Sequence, residues 1–248
     1  MSKLTGRIAV VTGGGRGIGR AIAELFGREG ADVAIVDLDM KAADQVAAGL
    51  RKLGRRALAH GADVSNERAV GDAFKRVASD LGAVDILVNN AGIDTTSLVV
   101  DMPTSMWDEM IRVNLRSIFL CTRAVLPDMI AKKYGRIINI ASQLAHKGAP
   151  EMAHYCATKA GVIGFTRSLA YEVADHGITV NAIAPGPIDT DLLRKLPKAW
   201  LDRKLAEVPL HRAGKVEEIA PTALLLASDE GAYYLGSTLN PNGGDVMA

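Results

Sequence analysis

The chain has 248 residues, 48% hydrophobic and 23% charged, which is enough to bury a substantial core and excludes disorder, collagen or coiled coil as a description of the whole. Its 29 Lys and Arg against 28 Asp and Glu leave a formal charge of +1, so no global field points to nucleic acid or to an anionic membrane. Cys121 and Cys156 are far apart and lack the spacing of a zinc or redox motif, so neither a disulfide nor a metal site is expected. The first apolar run is too short for a signal-peptide core and no other run is long enough to span a bilayer, so a cytoplasmic location is expected.

Short β-branched runs alternate with longer amphipathic segments, the pattern of a parallel sheet covered by helices on both faces. In chain order, a strand at Ile8 to Val11 is followed by a glycine-rich turn and a helix from Gly17 to Glu29. Next come a strand at Val33 to Asp37, a helix at Met40 to Leu53, a strand at Ala57 to Ala62, a helix at Glu67 to Leu81 and a strand at Ile86 to Asn89. One long helix is predicted from Thr104 to Lys133, then a strand at Arg136 to Ala141, a helix at Tyr155 to His176 and a strand at Thr179 to Ala184. A helix at Val216 to Leu226 and a strand near Thr238 to Asn240 complete the series. Gly30, Gly54, Gly82, Gly135 and Gly177 follow helical segments and read as their caps. No linker or repeat interrupts the rhythm, so one doubly wound α/β domain with seven parallel strands is expected over 1–248. Only 185–214 departs from it, a long excursion mixing Leu192, Leu193, Leu196, Trp200, Leu201 and Leu205 with charges, and it reads as a lid.

The first strand runs into Gly13-Gly14-Gly15-Arg16-Gly17-Ile18-Gly19, which opens a helix. Such a turn lets backbone approach a pyrophosphate and aims helix N-terminal amides at it, although the spacing is Gly13-xxx-Gly17-x-Gly19 and not the strict G-x-G-x-x-G. Taken alone, the turn would suit another nucleotide or S-adenosylmethionine as well. Asp37 closes the second strand where an acidic residue would hold an adenosine ribose. A carboxylate there accepts from a 2′-hydroxyl and repels a 2′-phosphate, so NAD is expected over NADP; Arg16 argues the other way, since a guanidinium beside the ribose would neutralise that phosphate.

Tyr155 and Lys159, four apart, share one face of a helix. An ammonium one turn from a phenol stabilises the phenolate and lowers a pKa of about 10, which makes proton exchange with an alcohol or carbonyl feasible. The pair gains weight from Ser142, at the carboxyl end of the Arg136 to Ala141 strand, where ligands bind in open α/β sheets. A hydrolase triad built on Ser142 is disfavoured because the G-x-S-x-G elbow is missing.

The set Thr12-Gly13-xxx-Gly17-x-Gly19, Asn89-Asn90-Ala91-Gly92, Asn114, Ser142, Tyr155-xxx-Lys159 and Pro185-Gly186, in this order, resembles the short-chain dehydrogenase/reductase family over essentially the whole chain. The resemblance implies a Rossmann-type sheet, a nicotinamide dinucleotide cofactor and a homotetramer. It implies that Tyr155 is the acid-base, that Lys159 lowers its pKa and bonds the nicotinamide ribose, and that Ser142 orients the substrate oxygen. Asn114 would hold a water linking Lys159 to solvent. It places Gly13, Gly17, Ile18 and Gly19 at the pyrophosphate, Asp37 at the adenosine ribose, and Asp63 and Val64 at the adenine. Asn90, Ala91 and Gly92 would line the adenosine side, and Pro185, Gly186, Ile188 and Thr190 the nicotinamide amide.

Within the family, Val180 to Gly186, Leu239 to Gly244 and Tyr134 to Ile140 are similar to the 3-oxoacyl-acyl-carrier-protein reductases. That subgroup usually prefers NADP and docks its carrier protein through two exposed arginines, whose places here are taken by Lys133 and His176. The expected substrate is a small-molecule carbonyl or secondary alcohol, foremost a 3-oxoacyl thioester; the alternative is a catabolic NAD-dependent dehydrogenase of a polyol, sugar or other secondary alcohol. The pocket is expected between Leu144, Ala149 to His154, Asp94 and the 185–214 lid. His146, Glu151, His154 and Asp94 would suit a polar substrate, and Leu192, Leu193 and Trp200 an apolar tail. A Rossmann-like methyltransferase would leave Ser142, Tyr155 and Lys159 unexplained, and a non-catalytic sensor would have no use for them.

Overall fold

A computed structural model describes residues 2–247. The elements in order are β1 (Ile8–Thr12), α1 (Gly17–Arg28), β2 (Asp32–Asp37), α2 (Met40–Lys52), β3 (Ala57–Gly61), α3 (Glu67–Asp80), β4 (Ile86–Asn89), α4 (Thr104–Ile111), α5 (Ser117–Lys132), β5 (Gly135–Ile140), α6 (Leu144–Lys147), α7 (Ala153–Val173), β6 (Ile178–Ile183), α8 (Asp191–Arg194), α9 (Lys198–Glu207), α10 (Ala220–Ala227) and β7 (Thr238–Leu239). The seven strands form one sheet in the order β3-β2-β1-β4-β5-β6-β7, every pair parallel. This is the expected doubly wound, Rossmann-type arrangement.

The strands are almost continuously apolar because both faces are covered. Side chains alternate across the sheet, so Val11, Ile35, Val88 and Ile138 pack with α1, α2 and α10, while Val10, Val36, Leu87 and Ile137 pack with α3, α5 and α7. Side-chain caps start three of the helices: Asp39 accepts from the Ala42 amide at 3.0 Å, Asn66 from the Ala69 amide at 3.0 Å and Thr190 from the Leu193 amide at 3.4 Å. The order reverses between β1 and β4, whose carboxyl ends therefore open a crevice. Among the described residues no helix is long and apolar enough to cross a membrane.

Three local expectations are corrected. The single helix predicted from Thr104 to Lys133 is two helices joined by a π-helical stretch at Arg112–Arg116, an extra-residue bulge to which hydrophobic periodicity is blind. Gly135 is not a cap; the left-handed residue ending α5 is Lys133 (φ 51°), and Gly135 lies in β5, where a Cβ would come within 2.6 Å of the Met129 sulfur. Helix α7 begins two residues before Tyr155, at Ala153, and gives way to a 3-10 turn at Ala174–His176.

The 185–214 excursion contains α8 and α9 and is closed at its base. Asp189 N donates to Gly214 O and Gly214 N to Pro187 O, each at 2.9 Å. Trp200 of α9 is buried with Leu144 and Met152, against Tyr155 and Leu196. Lys204, also on α9, is paired with the buried Asp245 carboxylate, which Lys147 meets from the other side at 2.9 Å.

Candidate active site

The glycine-rich turn after β1 is braced to the end of β4. Asn90 donates from its side-chain amide to the carbonyls of Thr12 and Gly13, both at 3.0 Å, and the Thr12 hydroxyl accepts the amides of Asn90 (3.0 Å) and Ala91 (3.2 Å). Asn90 and Ala91 thus fix the crevice at the switch point. Gly13 has φ 62°, and a Cβ on Gly19 would run into the Gly13 carbonyl and the Asn90 amide nitrogen. The Arg16 side chain does not cap α1, so the first amides of that helix are left for an anion. Across the crevice, Thr190 is 3.3 Å from where a Gly17 Cβ would be. Backbone at this closeness and open helix amides fit a dinucleotide pyrophosphate.

Asp37 ends β2 directly beneath this turn. Its two oxygens accept the amides of Gly15 and Asp39, each at 2.9 Å, which orients the carboxylate without neutralising it. Arg16, free to swing by sequence alone, is held by Asp39 at 2.6 Å. Asp63, expected at the adenine, is engaged by the Ser65 amide (2.9 Å), the Ser65 hydroxyl (2.6 Å) and Arg112 (2.9 Å). Burial raises its pKa, but these partners win and hold it below the usual carboxylate value. Val64 beside it is buried.

A cavity opens at the carboxyl ends of β4, β5 and β6. Ser142, Tyr155 and Lys159, three of the four expected catalytic residues, share it with Pro185, Gly186, Ile188 and Thr190, expected at the nicotinamide, and with Ile18, Asn90 and Gly92; Asn114 does not line it. Ser142 follows β5 and is buried; its hydroxyl donates to Gln143 Oε1 at 2.9 Å, accepts the Leu144 amide at 3.1 Å and faces the same cavity as Tyr155. Lys159, buried on α7, donates to the Ile140 carbonyl at 2.7 Å and places its ammonium 5.6 Å from the Tyr155 ring centre.

Burial dominates the electrostatics. It pushes the Tyr155 phenol above its ordinary value, helped by the nearby Asp94 charge and opposed by the Ser142 hydroxyl. Burial likewise lowers Lys159 to about 8, with Asp94 pulling it up. The lowering of Tyr155 by Lys159 expected from their spacing is therefore not seen in the protein alone, because desolvation of a phenolate outweighs one ammonium whose own charge is desolvated.

Asn114 is fully buried in the π-helical stretch, and both ends of its amide grip the chain after β4: Ile93 N donates to Oδ1 and Nδ2 donates to Ile93 O, each at 2.8 Å. It anchors the loop that carries Gly92, whose missing Cβ leaves room for Asn114 Oδ1 and, 3.7 Å from that point, Lys159 Nζ.

The remaining pocket residues divide unevenly. Leu144, Asp94, Leu192, Leu193 and Trp200 line the cavity as expected, whereas His146, Glu151 and His154 do not. His154 is fully buried and bonded through Nε2 to the Thr95 hydroxyl at 2.7 Å, because it points into the α7 packing while Tyr155, the next residue, points out of it. Gln143, Met152, Leu196 and Lys204 also line the cavity. Gln143 was legible only by adjacency to Ser142, and Lys204 gave no signal because its partner Asp245 lies 41 residues on. Lys133 and His176 lie just before β5 and β6, at the opposite end of the sheet from the cavity, so a carrier protein held there would face away from this chain's own site.

The family described as enoyl-(acyl carrier protein) reductase matches residues 13–245. The chain is similar to a 3-oxoacyl-[acyl-carrier-protein] reductase of Pseudomonas aeruginosa, with 42% identity over 99% of each chain. Counterparts of the same description from Vibrio cholerae and Escherichia coli are each 43% identical over 98% of this chain and, respectively, 99% and 98% of their own length.

Proposed function

The chain belongs to the short-chain dehydrogenase/reductase family, an oxidoreductase family of CH–OH and C=O groups that uses a nicotinamide cofactor, and on that premise we propose that it reduces the 3-oxo group of an acyl thioester with NADH. The observation that carries this reading is the meeting of Ser142, Tyr155 and Lys159 in one cavity beside the glycine cradle. A nicotinamide held there would supply the hydride for the carbonyl carbon. The protein's own groups manage the oxygen and its proton.

Ser142 and Tyr155, which line the same cavity, offer two hydroxyls to the substrate oxygen. A phenol held above its usual pKa is fully protonated at neutral pH, which suits a donor to a carbonyl oxygen gaining negative charge. As the proton leaves, the Lys159 ammonium, steadied by the Ile140 carbonyl, stabilises the phenolate. Asn114 acts by holding Ile93 and the loop above Lys159. Gly13, Gly17, Ile18 and Gly19 would hold the pyrophosphate, Asp63 and Val64 the adenine, Asn90, Ala91 and Gly92 the adenosine side, and Pro185, Gly186, Ile188 and Thr190 the nicotinamide side. Leu192, Leu193, Leu196 and Trp200 give the acyl chain an apolar wall, and residues 185–214 act as the lid over it.

The preference for NAD rests on Asp37. Each like-charge pair it would form with a 2′-phosphate at roughly 4 Å and an effective dielectric of about 20 costs on the order of 4 kcal/mol before solvation. Arg16, tied to Asp39, offers no ready compensation. Self-association, as a homotetramer, is supported by large side chains left exposed on α5 and α7, namely Phe119, Ile130 and Tyr171, and is read by light scattering. Initial rates with S-acetoacetyl-N-acetylcysteamine and either NADH or NADPH test the reading: a faster rate with NADH is expected. No rate with either, from protein that binds NADH, overturns the thioester assignment, and a faster rate with NADPH overturns the assignment to NAD.

A further inference from the structure

We propose that Gln143 is a positioning residue that directs the proton of Ser142: its side-chain amide accepts that proton in one orientation and, turned over, donates to the Ser142 oxygen so that the proton goes to the substrate carbonyl. The proposal rests on the reading of this cavity as the site of carbonyl reduction, and not on the carbonyl belonging to a thioester.

Gln143 is buried and lines the cavity with Ser142 and Tyr155. Its main chain is fastened on both sides. The Gln143 amide donates to the Pro185 carbonyl at 3.1 Å, in the segment expected at the nicotinamide, and the Gln143 carbonyl accepts the His146 amide at 3.0 Å. Gln143 therefore holds helical backbone angles at the start of α6, and its side chain folds back onto the residue before it. The amide end of that side chain is the part left able to turn.

A serine hydroxyl has one proton and two lone pairs. Here the proton goes to Gln143 Oε1 at 2.9 Å and the Leu144 amide fills a lone pair at 3.1 Å. Ser142 so arranged has no proton for a carbonyl oxygen, which can only accept. If the carbonyl took the proton while Oε1 stayed in place, two buried oxygens would face each other with no hydrogen between them, and one acceptor would lose its donor. A half turn about the Cγ–Cδ bond of Gln143 removes that conflict. The two ends of an amide are close in size and this torsion is soft, so acceptor and donor change places with little movement of heavy atoms. Nε2 then donates to Ser142 Oγ, the Leu144 amide keeps its lone pair, and the Ser142 proton is directed at the substrate oxygen.

Two substitutions of similar size separate this role from a merely structural bond. The carboxylate of Gln143→Glu accepts the Ser142 proton but cannot donate, and the thioether of Gln143→Met leaves the proton unclaimed. If Gln143 only held Ser142 in place by accepting its proton, Gln143→Glu would keep the bond and the activity, and Gln143→Met would lose both. An amide that must turn predicts the opposite order.

The test is single-turnover NADH oxidation with enzyme in excess, so that slow variants remain readable, with S-acetoacetyl-N-acetylcysteamine and with cyclohexanone. Rates are taken at pH 8.5 and pH 5.5, each relative to the wild type at the same pH, which cancels the titration of the other groups lining the cavity: Tyr155 and Lys159 on α7, Lys204 on α9 and Asp94 after β4. At pH 8.5 Gln143→Met is expected to stay within about tenfold of the wild type, and Gln143→Glu to fall by about 10²-fold, the worth of one hydrogen-bond donor to a developing oxyanion. At pH 5.5 much of the Gln143→Glu loss is expected to be recovered, because a protonated carboxyl has a proton to donate. In a Ser142→Ala background Gln143→Glu is expected to cost no more than about threefold, since its effect runs through the Ser142 hydroxyl. NADH affinity within about twofold of the wild type checks that each variant has folded. A Gln143→Glu loss that persists in the Ser142→Ala background is repulsion by the new charge and overturns the proposal. Gln143→Met slower than Gln143→Glu, or Gln143→Glu as fast as the wild type at pH 8.5, overturns it as well. Wild-type turnover of cyclohexanone and not of the thioester overturns the thioester reading alone, and the Gln143 series is then read on the ketone. Turnover of neither, by protein that binds NADH, overturns the reductase reading and the role of Gln143 with it.

Discussion

Replacing Asp94 by Asn should make the protein more stable at neutral pH although it touches the active site. Burial, offset in part by Lys159 and Lys195, raises the Asp94 carboxyl from 3.8 to about 6 in the folded chain. The folded state thus holds the proton more tightly than the unfolded one, and ionising the carboxylate costs stability. That cost is absent below the unfolded value, grows between it and about 6, and is constant above. Moving the carboxyl from 3.8 to about 6 corresponds to an upper figure of about 3 kcal/mol. Solvent still reaches the side chain, so a gain of about 1–2 kcal/mol is expected for Asn, or about 2–8 °C in Tm for a chain of this size. Urea unfolding of both proteins at pH 7.5 and pH 5 reads it, the gain at pH 5 being about half that at pH 7.5. No gain at pH 7.5, or the same gain at both values, would refute the placing of a desolvated carboxylate in this wall.

Asp37→Ser should raise kcat/KM with NADPH relative to NADH by about tenfold or more, since the charge opposing a 2′-phosphate is gone; an unchanged ratio shows the ribose site was misread. Gly19→Ala puts a methyl against the Gly13 carbonyl and the Asn90 amide, displacing α1 from the turn. NADH binding should weaken by about tenfold or more, read by fluorescence titration, and wild-type affinity would contradict the cradle. Lys204→Ala leaves the buried Asp245 with Lys147 alone, and at about 2–3 kcal/mol of lost stability the 191–207 segment should be cut faster by trypsin. Cleavage at the wild-type rate would show that this pair does not hold the excursion down.

The fold was legible because β1, β2, β4, β5 and β6 are short apolar runs separated by helices of ordinary period, and a sheet buried on both faces writes that pattern directly. Ser142, Tyr155 and Lys159 were legible for a related reason: strand ends and one helical turn fix where they meet. What stayed hidden depends on contacts between distant residues. The π-helical stretch around Asn114 inserts one residue without altering hydrophobic spacing, and only the grip on Ile93 explains it. Neighbours on a helix point to different sides, so adjacency to Tyr155 gave no sign that His154 packs against Thr95. Arg16 looked free because its partner Asp39 is 23 residues on, and the Tyr155 phenol looked easy to ionise because spacing says nothing of desolvation.

The central claim, that Tyr155 exchanges a proton with the substrate oxygen beside a bound nicotinamide, is tested most directly by Tyr155→Phe. Reduction of S-acetoacetyl-N-acetylcysteamine and NADH affinity are measured on the same preparation. Removing one hydroxyl should lower kcat by about 10²-fold to 10⁴-fold and leave NADH binding within about twofold. Turnover near the wild-type rate, with NADH still bound, would contradict the assignment.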